Sequence, residues 1–393
     1  MKRVLFSGDS LIVSESFPDT PAHNRLVDLI HSCDIALTNF EMVVPSEKAY
    51  PGTFWLQGPP LSAGAGVITL LKSLGFSAVS IANNHMLDWG IQGLLDTVDA
   101  LKKQAMPFSG AGPDLSMASE PAIVSCGDTN LAMLAISGRY PQWGMAENGI
   151  RNEMGKPGVN GIPISEKPLI SCEFAFRGHQ FSFSSLSRYL PNSYSVHSKH
   201  ENRIIEQIKR LSRNYGFVFV SLHIHQMPEQ KTAPAFQRRL CRKFIDAGAD
   251  GVFVHGSHFF KGLEVYKQKP IFLGLGNLFF EIEKVMRPVP GFYLHYQLAP
   301  SLSVRDAIRQ VHHFRVKPEA YHSLLPICTF EDRVLTRIEL YPIDLGLNDP
   351  LFEGIPRLGS INTLHQYQKS IMKAGITCQI DNAACCLAIR MEK

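Results

Sequence analysis

The sequence predicts an α/β sheet protein, and three observations carry that prediction. Short apolar runs alternate with longer stretches whose apolar residues recur at helical spacing. The short runs are near-continuously hydrophobic, as strands covered on both faces are. Several of them also stop at the same kind of residue: a carboxylate, an amide or an imidazole.

Residues 4–7 (VLFS) are the first expected strand, ending at Gly8-Asp9, and 35–38 the second, ending in Asn39-Phe40-Glu41. A helix is expected over 60–73, with Pro60 at its start, where a missing N–H costs nothing. The run 76–82 is a third strand, closed by Asn83-Asn84-His85, and a helix follows over 91–104. After a strand at 131–136, residues 138–200 are rich in Gly, Pro, Ser and Asn and show little period. They read as long loops, a common setting for a binding site. Order returns with a helix over 203–212 and a strand over 217–222 that runs into "HIHQ". A helix over 236–247 follows, C-capped by Gly248, then a short strand over 252–254 that runs into "HGSH". "LEVY" (263–266) and "PIFLGLGN" (270–277) read as a hairpin about 267–269. Residues 282–325 read as an insertion, 333–345 as containing a further strand, and 361–374 as the last helix. The expectation is one domain, with its core at 1–281 and about 330–375 and a tail from 376 that frays.

Composition narrows the function classes. Hydrophobic residues are 45% and charged residues 19% of the 393, as in ordinary globular proteins. The net charge is only +4 and the basic residues are scattered, which argues against nucleic acid or an acidic membrane surface as partner. The apolar run at the N-terminus is too short for a signal-peptide core, and no stretch approaches the ~18 apolar residues of a membrane span. A cytoplasmic setting is therefore expected. The 8 cysteines lack zinc-ribbon spacing and read as reduced thiols. "GAG" and "GLGN" lack the spacing of a dinucleotide fingerprint and lead to no phosphate-binding lysine.

The strand ends carry the chemistry. Asp9, Asn39 with Glu41, Asn84 with His85, His223 with His225, and His255 with His258 each follow an apolar run. Ligands of open α/β sheets bind outside the carboxyl ends of the strands, so a parallel sheet would line these groups along one edge. Carboxylates, an amide oxygen and imidazoles together suit borderline divalent ions (Mn, Fe, Zn or Co), one or two per chain. No cysteine joins the set, which disfavours a structural zinc site. Read singly, each residue has a plainer role: Asp9 a helix cap, Asn83 and Asn84 a turn, Glu41 an exposed acid, His85 a core histidine.

The ordered series "GD", "NFE", "ANNHMLDWG", "SLHIH", "GADGVFVHGSH" and "LEVYKQKPIFLGLGNLFFE", with "FSGAG" at 108–112, resembles the CapA-type family of poly-γ-glutamate capsule biosynthesis, within the calcineurin-like metallophosphoesterase superfamily. The resemblance implies a metallophosphoesterase-like sandwich of two mixed sheets flanked by helices (α/β/β/α). It implies Asp9 on a first metal, Glu41 bridging or beside it, Asn84 and His223 on a second, His258 completing the site, and His85 as general acid with Asp88 orienting it. Asn277 matches a family motif without a role that the residues themselves suggest. The chain departs from the family pattern in having His223-Ile224-His225 where "HWG" is usual, and Gly256-Ser257-His258 where His-Pro-His is usual. His255, or His225 on the same side of an extended chain as His223, then stands as a substitute ligand.

The expected activity is hydrolysis of a phosphoester in a small or short polymeric anionic substrate, with Arg139, and with less support Arg151 or Lys156, offering positive charge. An enzyme acting on an amide-linked polyglutamate or peptide, and a non-catalytic binding module on a decayed site, remain as alternatives. No nucleic-acid or membrane partner is expected, and a homo-oligomer is left open. Trp55 and Trp143 are candidate walls of a cleft.

Overall fold

A computed structural model describes residues 1–52, 59–150, 153–168, 173–176, 179–182, 192–225, 232–312 and 318–391. Arg151 and Trp55 lie outside these residues. The chain folds as two mixed sheets packed face to face with helices on their outer faces, the α/β/β/α order that the resemblance implies.

In the first sheet Lys2–Leu11, Ile35–Phe40, Ala78–Ser80 and Phe108–Ser109 run parallel. His322–Glu331, Val334–Asp344, Cys386–Arg390 and Gln379–Asp381 extend it antiparallel on the other side. In the second sheet Thr129–Ser137, Phe217–His223, Gly251–His255 and Lys269–Phe272 run parallel, with Ala122–Cys126 and Leu263–Tyr266 as antiparallel edges. Between the sheets lies a phenylalanine-rich core. Phe6 sits 5.0 Å, centroid to centroid, from both Phe219 and Phe253. Each such ring, fully buried, contributes about 1.5–3 kcal/mol. Leu364 and Ile371 of the helix Ile361–Lys373 join this core from one side.

The outer faces are covered as helical periodicity requires. Leu26 and Ile30 of Pro21–His31, Val67 and Leu71 of Gly66–Ser73, and Leu94 and Val98 of Gly90–Lys103 pack on the first sheet. Ile204 and Ile208 of Ser198–Asn214, with Phe236, Leu240 and Phe244 of Ala235–Asp246, pack on the second. Gly248 follows the last of these at φ +110°, its N–H on the Ile245 carbonyl at 3.0 Å, which is the expected glycine stop.

Four elements differ from the sequence reading. The helix expected over 60–73 begins only at Gly66, because residues 61–63 spend their backbone elsewhere: Leu61 N–H on Asp88, Ser62 N–H on Val285 and Ala63 N–H on Val43. The run 270–277 is divided. Lys269–Phe272 closes a tight hairpin through Lys267 and Gln268, both at positive φ, and the chain then crosses so that Asn277–Phe280 pairs with the first strand of the other sheet. His322–Glu331 is a full strand that begins inside the stretch 282–325, read as an insertion, and continues beyond it. It accommodates Pro326 because pairing with the first strand stops at Leu5↔Ile327, so that side needs no N–H from the proline. The tail from 376, expected to fray, forms a hairpin whose second strand pairs Ile389 with Ile338.

Cys33, Cys126, Cys241, Cys328, Cys378, Cys385 and Cys386 are all unpaired thiols, and Cys172 lies outside the described residues. Among the described residues no helix is long and apolar enough to cross a membrane.

Candidate metal centre

The parallel strands of both sheets end on one side of the molecule, and the site is built where those ends meet. Its key device is a break in the first strand. The strand pairs with His322–Glu331 along its N-terminal half and with Asn277–Phe280 beyond it, and its register shifts between Phe6 and Asp9 against Ile35–Phe40 and between Asp9 and Ser10 against Asn277–Phe280. A Cβ on Gly8 would stand 2.1 Å from the Gly276 carbonyl oxygen, so only glycine permits this approach. Asp9 N–H donates to that same carbonyl at 2.9 Å.

The Asp9 carboxylate is completely buried. Oδ1 accepts from Asn39 Nδ2 at 2.9 Å, and Oδ2 accepts from the Gly256 amide at 3.0 Å. His255 Nδ1 stands 2.9 Å from Oδ1 without the alignment of a hydrogen bond, and His258 Nδ1 stands 3.8 Å from Oδ2. Two donors that converge on one ion from ~2.1 Å each, at a right angle, are about 3 Å apart, so the Asp9–His255 spacing fits shared coordination. Burial by itself would raise the Asp9 pKa. The His255 contact and the charges of His255, His223 and His258 outweigh it and hold the carboxyl well below the usual range.

Glu41 is the unusual member. Both its carboxylate oxygens are buried and neither has a hydrogen-bond partner among the described residues. Oε1 faces three imidazoles: His223 Nε2 at 3.6 Å, His85 Nε2 at 3.9 Å and His225 Nε2 at 4.0 Å. Burial, then the charge of Asp9, drives its pKa well above the usual value. Donor atoms of Asp9, Glu41 and His223 lie within 4.8 Å of one another, as do those of Glu41, His225 and His258. Glu41 belongs to both groups, so one carboxylate stands between two candidate ion positions. Carboxylate oxygens without hydrogen bonds among the described residues, facing imidazoles of which burial holds His223 and His225 neutral, fit a divalent cation, which would supply a compensating charge.

His223 ends its strand buried, with Nε2 2.7 Å from Asn84 Oδ1 and Nδ1 3.3 Å from Asn39 Nδ2; burial pushes its pKa down to about 3. His225 is likewise held well below its ordinary value by burial, and its buried Nε2 has no hydrogen-bond partner among the described residues. His258 sits at φ +55°, and its Nδ1 meets Asn277 Oδ1 at 2.9 Å. Asn277 is in turn anchored by donating to the Ala320 carbonyl at 2.9 Å. That gives Asn277 the role that the sequence did not: it fixes the ring of His258.

His85 stands beside the cluster. Its Nδ1 is 2.8 Å from Asp88 Oδ2, which also accepts the Leu61 amide at 2.8 Å, so Nε2 is left toward Glu41. Asp88 bonds to His85, and its charge also adds to the raised pKa of Glu41. Asn83 is a turn residue: its Oδ1 accepts the His85 amide and its Nδ2 donates to the Phe40 carbonyl, which ties this loop to that of Glu41. The structure thus brings together Asp9, Glu41, Asn84, His85, His223, His225, His255 and His258. Arg139 is exposed on the turn after Thr129–Ser137, near enough that its charge helps lower the His225 pKa. Lys156 is taken up by an ion pair with Glu147, and Trp143 is 38% exposed. Sequence reasoning underrated Asn39 and Gly256, whose parts emerge only when Asp9 is seen between them.

A two-sheet sandwich with imidazoles and carboxylates gathered at its strand ends is the frame on which the comparisons fall. Residues 4–281 match the family described as bacterial capsule synthesis protein PGA_cap, and the chain belongs to that family. The uncharacterized protein y4sH of Sinorhizobium fredii is 24% identical, over 89% of this chain and 84% of its own. The capsule biosynthesis protein CapA of Bacillus anthracis is 25% identical over 56% of this chain and 44% of its own, and the PGA biosynthesis protein CapA of Bacillus subtilis 26% over 64% and 55%. A hypothetical protein from Thermus thermophilus, of solved structure, is 14% identical with a TM-score of 0.41, covering 87% of this chain and 99% of its own.

Proposed function

We propose that this chain is a metal-dependent hydrolase of phosphoester type that acts on a small or short polymeric anionic substrate. The observation that carries the reading is Glu41, a buried carboxylate with no hydrogen-bond partner among the described residues, placed among the imidazoles of His85, His223 and His225. Asp9, Glu41, Asn84, His223 and His258 would hold one or two divalent ions, with His255 and His225 beside them. When bound, such ions supply Lewis acidity and an activated water.

The remaining chemistry belongs to the side chains. Asp88 keeps the Nδ1 proton of His85 in place, so Nε2 is the nitrogen that carries a proton to the departing oxygen. Burial keeps His223 and His225 neutral at physiological pH, as donors to a cation must be. Arg139, exposed at the rim, offers a planar cation to a phosphate or carboxylate of the substrate.

The names of the Bacillus relatives favour a second reading, in which the scissile bond is an amide of a glutamate polymer and the same residues would hold ions whose Lewis acidity serves its carbonyl. Protein purified without chelator, analysed for metal and offered an aryl phosphate ester or a γ-glutamyl anilide in parallel, separates the readings. Turnover of the phosphate ester supports the first, and of the anilide alone the second. A metal-free protein inert toward both, even after metal is added, would sink each of them and leave a binding module.

A further inference from the structure

We infer that Gly256 is a positioning residue whose missing side chain admits His225 to the metal centre, so that the two act as one coupled unit. The inference rests on the metal-centre reading above and extends it to a residue that has no donor side chain of its own. Gly256 lies at φ +92°, a backbone region that L side chains rarely adopt. A Cβ placed there would stand 2.9 Å from His225 Cδ2, 3.1 Å from His223 Nε2 and 2.7 Å from the Ile224 carbonyl oxygen. The last of these has little room to retreat, since Ile224 N–H is bonded to the His255 carbonyl at 3.1 Å and pins the two strand ends together. A side chain at 256 therefore crowds the seat of the His225 ring and presses on the His223 ring beside it.

That seat has the marks of a ligand position. Among the described residues the buried Nε2 atom of His225 has no hydrogen-bond partner, and it looks toward Glu41 Oε1, likewise without one, at 4.0 Å. The ring lies 5.0 Å from that of His223 and 5.7 Å from that of His258, centroid to centroid. A water would satisfy the nitrogen but leave the Glu41 charge uncompensated; a divalent cation answers both. Gly256 also acts on the opposite wall, because its N–H holds Asp9 Oδ2 at 3.0 Å.

The test is equilibrium binding of manganese or zinc ions alone, by calorimetry and by ions retained per chain, with circular dichroism to establish folding. His225→Ala, with His225→Gln as a volume-keeping second variant, should lose one ion per chain or bind it at least ~10-fold more weakly. Gly256→Ala should show the same loss although it removes no donor. Gly262→Ala supplies the control for backbone strain: Gly262 has φ +114° but nothing within 4 Å of its Cβ position, so metal binding should hold within about two-fold of wild type. Wild-type-like binding by both His225 variants, or by Gly256→Ala, would overturn the inference while leaving the metal centre intact. A wild-type protein that binds neither ion would overturn the centre and the inference together.

Discussion

His85 shows how much one side chain's orientation decides. Of its two nitrogens, Asp88 takes Nδ1 at 2.8 Å, and only Nε2 is left toward the cluster, 3.9 Å from Glu41. A residue held for proton delivery differs from a ligand in what its removal costs. His85→Asn should lower kcat by ~10²–10⁴, the usual worth of a placed general acid, while metal content stays unchanged. Turnover and metal analysis on one preparation decide the matter; loss of metal along with activity would make His85 a ligand instead. Glu41 has the opposite character. Its carboxylate has no hydrogen bond among the described residues, and burial, then the Asp9 charge, raises its pKa.

Elements place these residues, and two of them can be tested directly. The first strand can kink toward the site only because Gly8 passes close under the Gly276 carbonyl. Gly8→Ala should cost about 1–3 kcal/mol or more through overpacking, seen as a lower melting temperature, and should weaken metal binding by displacing Asp9. A variant that melts like the wild type would show that the strand has another route past Gly276. The helix Pro21–His31 is docked by His23, whose ring lies between Phe17 and Phe352 with Nδ1 2.6 Å from Thr20 Oγ1. Burial, and then the Arg357 charge, hold the His23 pKa below its ordinary 6.5. Below pH 6.5 the unfolded chain takes up a proton that the folded chain resists. The stability tied to this group is therefore full above 6.5 and drains as pH falls toward the folded pKa. The melting-temperature advantage of wild type over His23→Gln should shrink as pH drops from about 8 to about 5.5. An advantage that grows on acidification would reverse the assigned direction.

At the scale of the whole molecule, the site is a seam between two sheets, which also explains what the sequence could and could not disclose. Asp9, Glu41, His223 and His258 were legible because each is a metal-binding type that ends a local apolar run, and such runs are short-range information. The strand His322–Glu331, the crossing at Asn277 and the C-terminal hairpin were not, since each is defined by a partner far away in the chain. The part of Gly256 was hidden for the same reason: the atoms that forbid a side chain there come from the neighbouring strand end. A cation held by Asp9 and Glu41 of one sheet and His223 and His258 of the other would cross-link the halves. Its removal should then lower the stability of the entire fold rather than loosen one loop. Manganese or zinc at a hundred times its dissociation constant should add about 2.7 kcal/mol, read as a melting transition several degrees higher than in chelator. Glu41→Gln sharpens the test, because it removes a buried charge that the metal-free protein cannot compensate. In chelator it should melt above the wild type, by an amount equivalent to about 1–3 kcal/mol, and added metal should no longer move its transition. Should the wild type melt at one temperature with and without metal, or should Glu41→Gln keep the full metal-induced rise, no ion bridges the two sheets through Glu41.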